Sequence, residues 1–550
     1  MLDQMAVEVP PRSNLSRALT LARKWLVSCT ASHATCMDNS KPDWYPTRLL
    51  EIEPRKLTPM LIETKACQLS GGYACLSHCW GSLPITRLLR DNYDSFRKGI
   101  DPALLPKTFC DAIEFCKELG LRYLWIDSLC IIQDSLDDWR EESNMMCQVY
   151  RNSTLCLSAA GAADASKGLY FDRKIEGNYP FPQCPAFLSD RCKRDTQNSS
   201  YRDWYLVPGD FYTNLCAKTY TFDRAWIFQE RFLATRVLHF GRREIFWECC
   251  TANYCETFPE GVPQDVIGRT DILPKATYER IRTSSYTQAI IHPRIFDISS
   301  RPVAEQMQMT WEALITEYTR CDLSNLGDKL IALSGMAQSV WLDWRSKLSG
   351  DVQYLAGVWN IHLPHALLWA CTRCGPRPAA YIAPTWSWAS TDGQIDFQLH
   401  HWKHAYEFTS TILDVRISYV KSCWGQVKDG HIWVKGPIRK INWLVRKEYW
   451  IYATHDEEHP LLTEDTPSKY GIEIVPDEDY DVCTQGWGEL HALLVMRFLD
   501  PGVQSQCVLV LNPVNDQCNT FHRVGIMSQM SGVQVADWFD GVAQQAIKII

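Results

Sequence analysis

The chain has 550 residues, of which 46% are apolar or aromatic, and it carries a formal net charge of −8 with a pI near 6.0. This length is more than one hydrophobic core can hold, so two or three domains are expected. The acidic balance and the absence of basic runs disfavour a nucleic-acid-binding protein. No apolar stretch approaches the ~18–20 residues that a membrane-spanning helix needs.

Cysteine usage points to a reducing compartment. The 23 cysteines are odd in number and scattered, and several lie in apolar contexts, where a thiol behaves as a small hydrophobe. The N-terminal residues carry charge and proline instead of the apolar core of a secretory signal. We therefore expect a soluble, cytoplasmic protein with reduced thiols. Cys371 and Cys374 form a single Cys-x-x-Cys pair without a second pair, so we assign no metal ligands.

A helix and short strands come first in the chain. Helical spacing at 16–28 predicts a helix between two linkers, and residues 47–72 predict two short strands. Alternating residues at 73–77 predict a further strand, which ends in a polar loop.

A strand–helix series follows. Apolar residues at helical spacing predict a helix over 108–119, which Gly120 ends. The apolar run 123–126 is too short for a helix and predicts a buried strand, followed by a helix over 139–150 and a strand over 153–159. Alternation of this kind is typical of βαβ units with a parallel sheet.

The remaining chain changes character twice. Residues 173–220 are irregular and rich in Pro, Asp, Arg and Asn, which indicates an insertion. The later predicted elements are a helix over 226–233, a hairpin of 237–240 with 244–248, helices over 311–318 and 329–344, and a β-rich region beyond about 381.

Two carboxylates stand out in the central stretch. Asp127 directly follows the strand 123–126, at the carboxyl end where open α/β sheets bind ligands. Glu142 falls within the apolar stripe of the helix 139–150, whereas Glu141 points away from it. A carboxylate on a buried helix face is costly unless it is paired or used in catalysis. A salt bridge to a neighbouring arginine is therefore the structural alternative to a catalytic Glu142.

Three motifs occur in order over about 160 residues: YACLSHCWG at 73–81, WIDSLCIIQDSLDDW continuing to VY at 125–150, and RAWIFQERFL at 224–233. They resemble the opening, central and closing blocks of the fungal heterokaryon incompatibility (HET) domain. TRLL at 47–50 and APTWSWAS at 383–390 are typical of full-length members. The resemblance implies a HET domain at 47–250 with its core blocks at 73–233. The elements predicted from spacing add an N-terminal helix and linker at 1–46 and a C-terminal region at 275–550, which is helical to about 370 and then β-rich.

The HET domain is similar to the TIR domain, so the resemblance implies an α/β fold with a TIR/flavodoxin-like parallel sheet. Some TIR domains cleave NAD with one glutamate, which stabilises the positive charge developing on the ribose. The resemblance implies Glu142 as catalytic carboxylate, with Asp127 and His78 beside it, NAD as substrate and no certain cofactor. The implied ligand-binding residues are Ser77, Trp80, Arg224, Gln229 and Glu230. The alternative is that these side chains form a buried structural network.

The functions that remain open come from different classes. The family implies an effector of heterokaryon incompatibility and programmed cell death in self/non-self recognition, acting through a partner protein or self-association. A second hypothesis is an enzyme of fungal specialised (secondary) metabolism, a cyclase or dehydratase using acid–base chemistry on an apolar molecule. A nucleophilic Cys130 and a non-catalytic scaffold are further alternatives.

Overall fold

The computed structural model describes residues 9–38, 44–53, 58–173, 181–182, 205–206, 211–212, 215, 219–263, 302–348, 350–397, 405–446, 450–454, 472–478, 489–499, 506–514, 518–528 and 539–550. The chain divides into two compact units, Met1–Ser300 and Arg301–Ile550. Most of the insertion predicted at 173–220 lies outside the described residues. None of the helices in the described part is both long enough and apolar enough to cross a membrane.

The first unit contains helices and short strands in alternation. Its described helices are α1 (Leu15–Ser32), α2 (Ala34–Asp38), α3 (Tyr93–Lys98), α4 (Lys107–Leu119), α5 (Asp127–Cys130), α6 (Leu136–Arg151) and α7 (Ala225–Leu233). Its main strands are β1 (Arg48–Glu51), β2 (Met60–Glu63), β3 (Tyr73–Ser77), β4 (Tyr123–Ile126), β5 (Leu155–Ser158), β6 (Arg236–Phe240), β7 (Ile245–Cys249) and β8 (Asn253–Cys255).

These eight strands form one sheet in the order β8-β7-β6-β5-β3-β4-β1-β2. The central strands β4, β3, β5 and β6 run parallel, and the strands on both flanks are antiparallel. Numbered by their appearance in the chain, the parallel strands are ordered 2-1-3-4, so the direction of winding reverses between β3 and β5. The parallel sheet predicted from the sequence is confirmed. The carboxyl ends of β3 and β5 flank the point of reversal, where such sheets form a crevice.

The sequence explains why these segments form a central layer. Every residue of β3, β4 and β5 is buried, as expected for parallel strands covered on both faces. Helix α4 turns its apolar side inward, and Gly120 ends it in the left-handed conformation with φ of 88°.

Helix α1 packs onto this unit through Trp25. The Trp25 ring lies 6.3 Å from that of Trp247 on β7 and 6.0 Å from that of Tyr254 on β8. Its indole Nε1 donates a hydrogen bond to the carbonyl of Pro259 at 2.9 Å. The N-terminal helix is therefore part of the core of the first unit.

The second unit begins with two helices and continues mainly as strands. Its described helices are α8 (Val303–Tyr318) and α9 (Ile331–Trp344). Its longer strands are β9 (Ala370–Cys374), β10 (Gly393–Asp396), β11 (Tyr406–Phe408), β12 (Thr411–Tyr419), β13 (Val427–Arg446), β14 (Trp450–Thr454), β15 (Ile472–Pro476), β16 (Leu490–Phe498), β17 (Gln506–Pro513), β18 (Thr520–Ser528) and β19 (Gln544–Ile549).

Strands β11 to β19 form a nine-stranded sheet, which is antiparallel except where β18 meets β19. The predicted β-rich region is confirmed. Many of the tryptophans fill cores rather than a cleft, since their side chains are fully buried: Trp25, Trp125, Trp247, Trp344, Trp359, Trp369, Trp386 and Trp388.

Candidate functional site

The carboxyl edge of the parallel strands gathers most of the predicted site residues. Strand β3 ends at Ser77, and the loop after it carries His78 and Trp80. Strand β4 leads directly into Asp127, the first residue of α5. Arg224, which precedes α7, interacts electrostatically with His78, and Glu230 on α7 interacts with Ser77 and Asp127. We call this set the edge cluster: Ser77, His78, Trp80, Asp127, Arg224 and Glu230.

Asp127 is the carboxylate of the cluster that reaches solvent. Its Oδ2 accepts a hydrogen bond from the indole Nε1 of Trp80 at 2.7 Å, and its Oδ1 accepts one from the backbone N–H of Ser128 at 2.7 Å. The Nδ1 atom of His78 lies 3.8 Å from Oδ1. The Asp127 side chain is 24% exposed, whereas that of His78 is 1% exposed. These contacts fix one oxygen-rich group at the rim of the crevice.

His78 is buried behind Asp127. Its ring meets the ring of Phe109 edge to face, with centroids 4.9 Å apart. Burial lowers the pKa of His78, and the opposing attraction of Asp127 does not overcome it. The Nε2 atom has no hydrogen-bond partner among the described residues. A neutral imidazole with one unused ring nitrogen therefore lies beneath the rim.

Glu230 is a buried carboxyl group on α7. Burial, together with the negative charge of Asp127, raises its pKa from the ordinary 4.5 to about 7. The hydroxyl groups of Ser77 and Tyr150 and the charge of Arg224 act in the opposite direction. Glu230 therefore exchanges a proton near neutral pH, as a general acid or base must.

Arg224 and Gln229 complete the closing motif. Arg224 is half-buried at the start of α7. Burial lowers the pKa of His78 and raises that of Cys79; the positive charge of Arg224 adds to the first shift and opposes the second. Gln229 is buried on the same helix, next to Glu230. The structure thus brings Arg224 and Glu230 to the β3 and β4 loops.

Gly81 shows why the opening motif ends in glycine. Its φ of +71° lies in the left-handed region, and an added Cβ would come within 2.4 Å of the Cβ of Asp164. Any side chain at this position would push the loop that carries Trp80 away from its place beside Asp127.

Glu142 lies on the buried face of α6, as its spacing predicts. Its ion-pair partner in the described part of the chain is Arg48, which is not a member of the edge cluster. Its Oε1 is 3.4 Å from a terminal nitrogen of Arg48, which also contacts Asp138 at 2.6 Å. Burial raises the pKa of Glu142, while Thr47 and Arg48 favour its charged form. Among the described residues Glu142 makes no ion pair with Arg224. The structure thus contains the salt bridge that stood as the alternative to catalysis, and Arg48 was not predicted as its partner.

The nucleophilic hypothesis receives no support from Cys130. Burial raises the pKa of this thiol to about 12, so that the reactive thiolate is disfavoured at neutral pH. Burial raises the pKa of Cys79 as well, and its thiol donates a hydrogen bond to the carbonyl of Tyr220.

One group of possible metal ligands was not predicted from the sequence. Cys29, His33, Cys36 and Cys249 place one ligand atom each within 4.8 Å of one another. The spacing Cys-x-x-x-His-x-x-Cys in the first three was a usable signal, but the fourth residue follows more than 200 positions later. Only folding brings it to the others.

Residues 73–230 match the family model described as heterokaryon incompatibility protein (HET). This segment is a HET domain. The match covers the opening and central motifs and the closing motif as far as Glu230, and it contains the whole edge cluster. No curated protein and no solved structure matches the chain.

Proposed function

We propose that this protein is an effector of heterokaryon incompatibility and that its HET domain hydrolyses the nicotinamide–ribose bond of NAD at the edge cluster. The HET domain itself indicates an incompatibility-related function. The observation that carries the catalytic part is the pair of unlike carboxyl groups, partly exposed Asp127 and buried Glu230, at the carboxyl edge of the parallel strands. In many enzymes two carboxyl groups in contrasting environments take different roles, one charged and one exchanging a proton.

The strand order supports this placement. The parallel order 2-1-3-4 agrees with the first four strands of the flavodoxin-like order 2-1-3-4-5. TIR domains have a flavodoxin-like fold. Ligands of such sheets bind outside the carboxyl ends of the strands at the reversal point. Ser77 ends β3, which flanks this point, and Asp127 follows the neighbouring strand β4. A shared fold does not establish a shared activity, so the side chains of the edge cluster must account for the proposed reaction.

The chemistry asks little of the protein. The bond between the anomeric carbon and the cationic nicotinamide breaks, and neutral nicotinamide leaves with the electron pair. Asp127 would stabilise the positive charge that develops on the ribose. Water then bonds to the anomeric carbon, and its proton passes to the carboxylate form of Glu230. Arg224 would contact the pyrophosphate, because guanidinium groups bind phosphate oxygens well.

Glu142 remains the other candidate for the catalytic carboxylate. Its place on the buried face of α6 agrees with its helical spacing, while its contact with Arg48 suits a structural role. The two assignments make different predictions for substitutions that remove only the charge.

The test is NAD depletion on inducible expression of the full chain in yeast, paired with nicotinamide release by the purified protein. The variants are Asp127→Asn, Glu230→Gln and Glu142→Gln, with Glu141→Ala as the control because Glu141 is exposed on the same helix. We expect wild type and the control to deplete NAD, and Asp127→Asn and Glu230→Gln to lose activity by about 100-fold or more.

Three results would change the assignment. Loss of activity only in a well-folded Glu142→Gln variant would move catalysis to α6. Cell death with normal NAD would indicate an effector that acts by assembly, with residues 275–550 sensing a partner. Healthy cells with normal NAD would contradict the effector function and direct attention to small-molecule metabolism.

A further inference from the structure

We infer that Cys29, His33, Cys36 and Cys249 form a closed structural zinc site in the first unit. The zinc cluster, as these four residues are called here, lies among α1, α2 and β7 and does not depend on the proposed activity of the edge cluster.

Local structure explains how three ligands come from one short segment. Cys29 and His33 are four residues apart, so they share one face at the end of α1. His33 leaves the helix in an extended conformation, with φ of −102° and ψ of 90°. The break redirects the chain into α2, which carries Cys36 back towards Cys29. The final residue of β7, Cys249, supplies the fourth ligand.

The ligand atoms are spaced as a tetrahedral metal requires. Bonds of about 2.3 Å to sulfur and about 2.0 Å to nitrogen give tetrahedral edges of about 3.5–3.8 Å. The Sγ of Cys249 lies 3.4 Å from Nδ1 of His33, and the four ligand atoms all lie within 4.8 Å of one another. Small side-chain adjustments would therefore complete the coordination. Three cysteines and one histidine are a recurrent zinc ligand set.

Groups around the cluster orient the ligands. The Nε2 atom of His33 lies 3.5 Å from the hydroxyl of Tyr254, which leaves Nδ1 directed at the thiols. The backbone N–H of Ala252 donates a hydrogen bond to the Sγ of Cys249 at 3.3 Å. The Sγ of Cys36 lies 3.7 Å from the hydroxyl of Thr251. Such outer contacts fix the ring orientation and stabilise thiolate sulfur in zinc sites.

The buried charge of Arg236 supports a bound metal independently of the ligand geometry. Its side chain is buried, and its Nε donates a hydrogen bond to the Sγ of Cys29 at 3.2 Å. Its other hydrogen bonds go to the carbonyls of Thr154 and Cys36. No carboxylate in the described part of the chain pairs with it. A buried guanidinium needs an anion, and neutral thiols do not provide one. Zinc bound by three thiolates and one neutral histidine carries a net charge of −1, which Arg236 would balance.

Four protein ligands leave no open position for substrate, so the site would be structural. It would fasten the end of the N-terminal helix to the hairpin of β6 and β7. Because this hairpin follows the closing motif of the HET domain, the metal would stabilise the part of the sheet that supports α7.

The test is the zinc content of the purified full chain, kept reduced and measured by inductively coupled plasma mass spectrometry. We expect about one zinc ion per chain in wild type and almost none in Cys249→Ala or His33→Ala. Cys116→Ala is the matched control, since Cys116 is likewise buried near the end of a helix but lies outside the zinc cluster. It should retain the metal.

Cobalt distinguishes this site from a simple cysteine cluster. Refilling the metal-free wild-type protein with cobalt should produce the visible and thiolate charge-transfer bands of a tetrahedral cobalt–sulfur site, absent in Cys249→Ala. Cys36→His keeps four ligands and should still bind zinc, which separates ligand loss from misfolding. Wild type that binds no zinc at saturating metal with reduced thiols would overturn the inference. Equal zinc in Cys249→Ala and wild type, or a disulfide within the cluster in place of metal, would also overturn it.

Discussion

Replacing Arg231 by methionine tests whether one buried ion pair holds helix α7 onto the hairpin of β6 and β7. Arg231 lies on α7, and its Nε and a terminal nitrogen each contact a different oxygen of Glu248 on β7 at 2.6 Å. Glu248 is fully buried and also accepts a hydrogen bond from the Tyr212 hydroxyl at 2.8 Å. Arg231 holds the pKa of Glu248 well below its ordinary value against the effect of burial.

The expected cost follows from what methionine leaves behind. It fills a similar volume but removes the positive charge, so Glu248 must stay charged and uncompensated or take up a proton. Breaking a buried pair in this way destabilises proteins by about 3–5 kcal/mol. His239, whose Nε2 lies 3.0 Å from Glu248, would recover part of this by protonation. We therefore expect Arg231→Met to lower the free energy of unfolding by about 3 kcal/mol. The double variant with Glu248→Gln should lower it by about 1 kcal/mol or less.

Hydrogen–deuterium exchange measures this change locally, which matters because a chain of two units need not unfold in one step. Peptides covering β6 and β7 should exchange about 100-fold faster in Arg231→Met, since each 1.4 kcal/mol is a factor of ten. Arg243→Met, at an exposed position of the same hairpin, should leave exchange unchanged. Acceleration below about fivefold, or a double variant as unstable as the single one, would refute the reasoning.

Gly81→Ala should destabilise the first unit by about 1–3 kcal/mol through backbone strain and the clash with Asp164. Gly71→Ala, which also has a positive φ but lies in open space, should destabilise it less. Equal urea unfolding midpoints for the two variants would contradict this. The stability of wild type should fall by about 3 kcal/mol between pH 4.5 and 7, because folded Glu230 holds its proton up to about pH 7 and the unfolded chain releases it near 4.5. Glu230→Gln should flatten that slope, and an unchanged slope would contradict the assignment. In the second unit, Arg523→Met should lower the free energy of unfolding by about 3–5 kcal/mol, because Asp477 stays buried after losing its ion pair with Arg523. Amide hydrogen exchange in β18 should then be faster, and near-wild-type protection of β18 would contradict this prediction.

Periodicity was sufficient for most secondary structure of the first unit. The helix at 108–119, the strand at 123–126 and the hairpin after 233 follow from local spacing and turn residues, which act over a few positions. The parallel pairing followed from the alternation of strands and helices. The inward direction of Glu142 was also a local property, because the turn of a helix fixes it.

The partners of these residues depended on contacts distant in sequence. The spacing that turned Glu142 inward contained no information about Arg48, which lies 94 residues away on strand β1. The same holds for Glu230, whose pKa depends on Ser77, Asp127 and Tyr150 from three separate segments.

The sequence by itself determined the HET domain at 73–230, the order of the elements and the residue types available at the sheet edge, since motifs and periodicity are properties of neighbouring residues. The tertiary structure alone decided which carboxyl group is exposed and which is buried, and therefore where a proton is exchanged near neutral pH. It also decided that Cys249 joins Cys29, His33 and Cys36. Burial and charge pairing arise from the surroundings that distant segments create, and these surroundings exist only after folding.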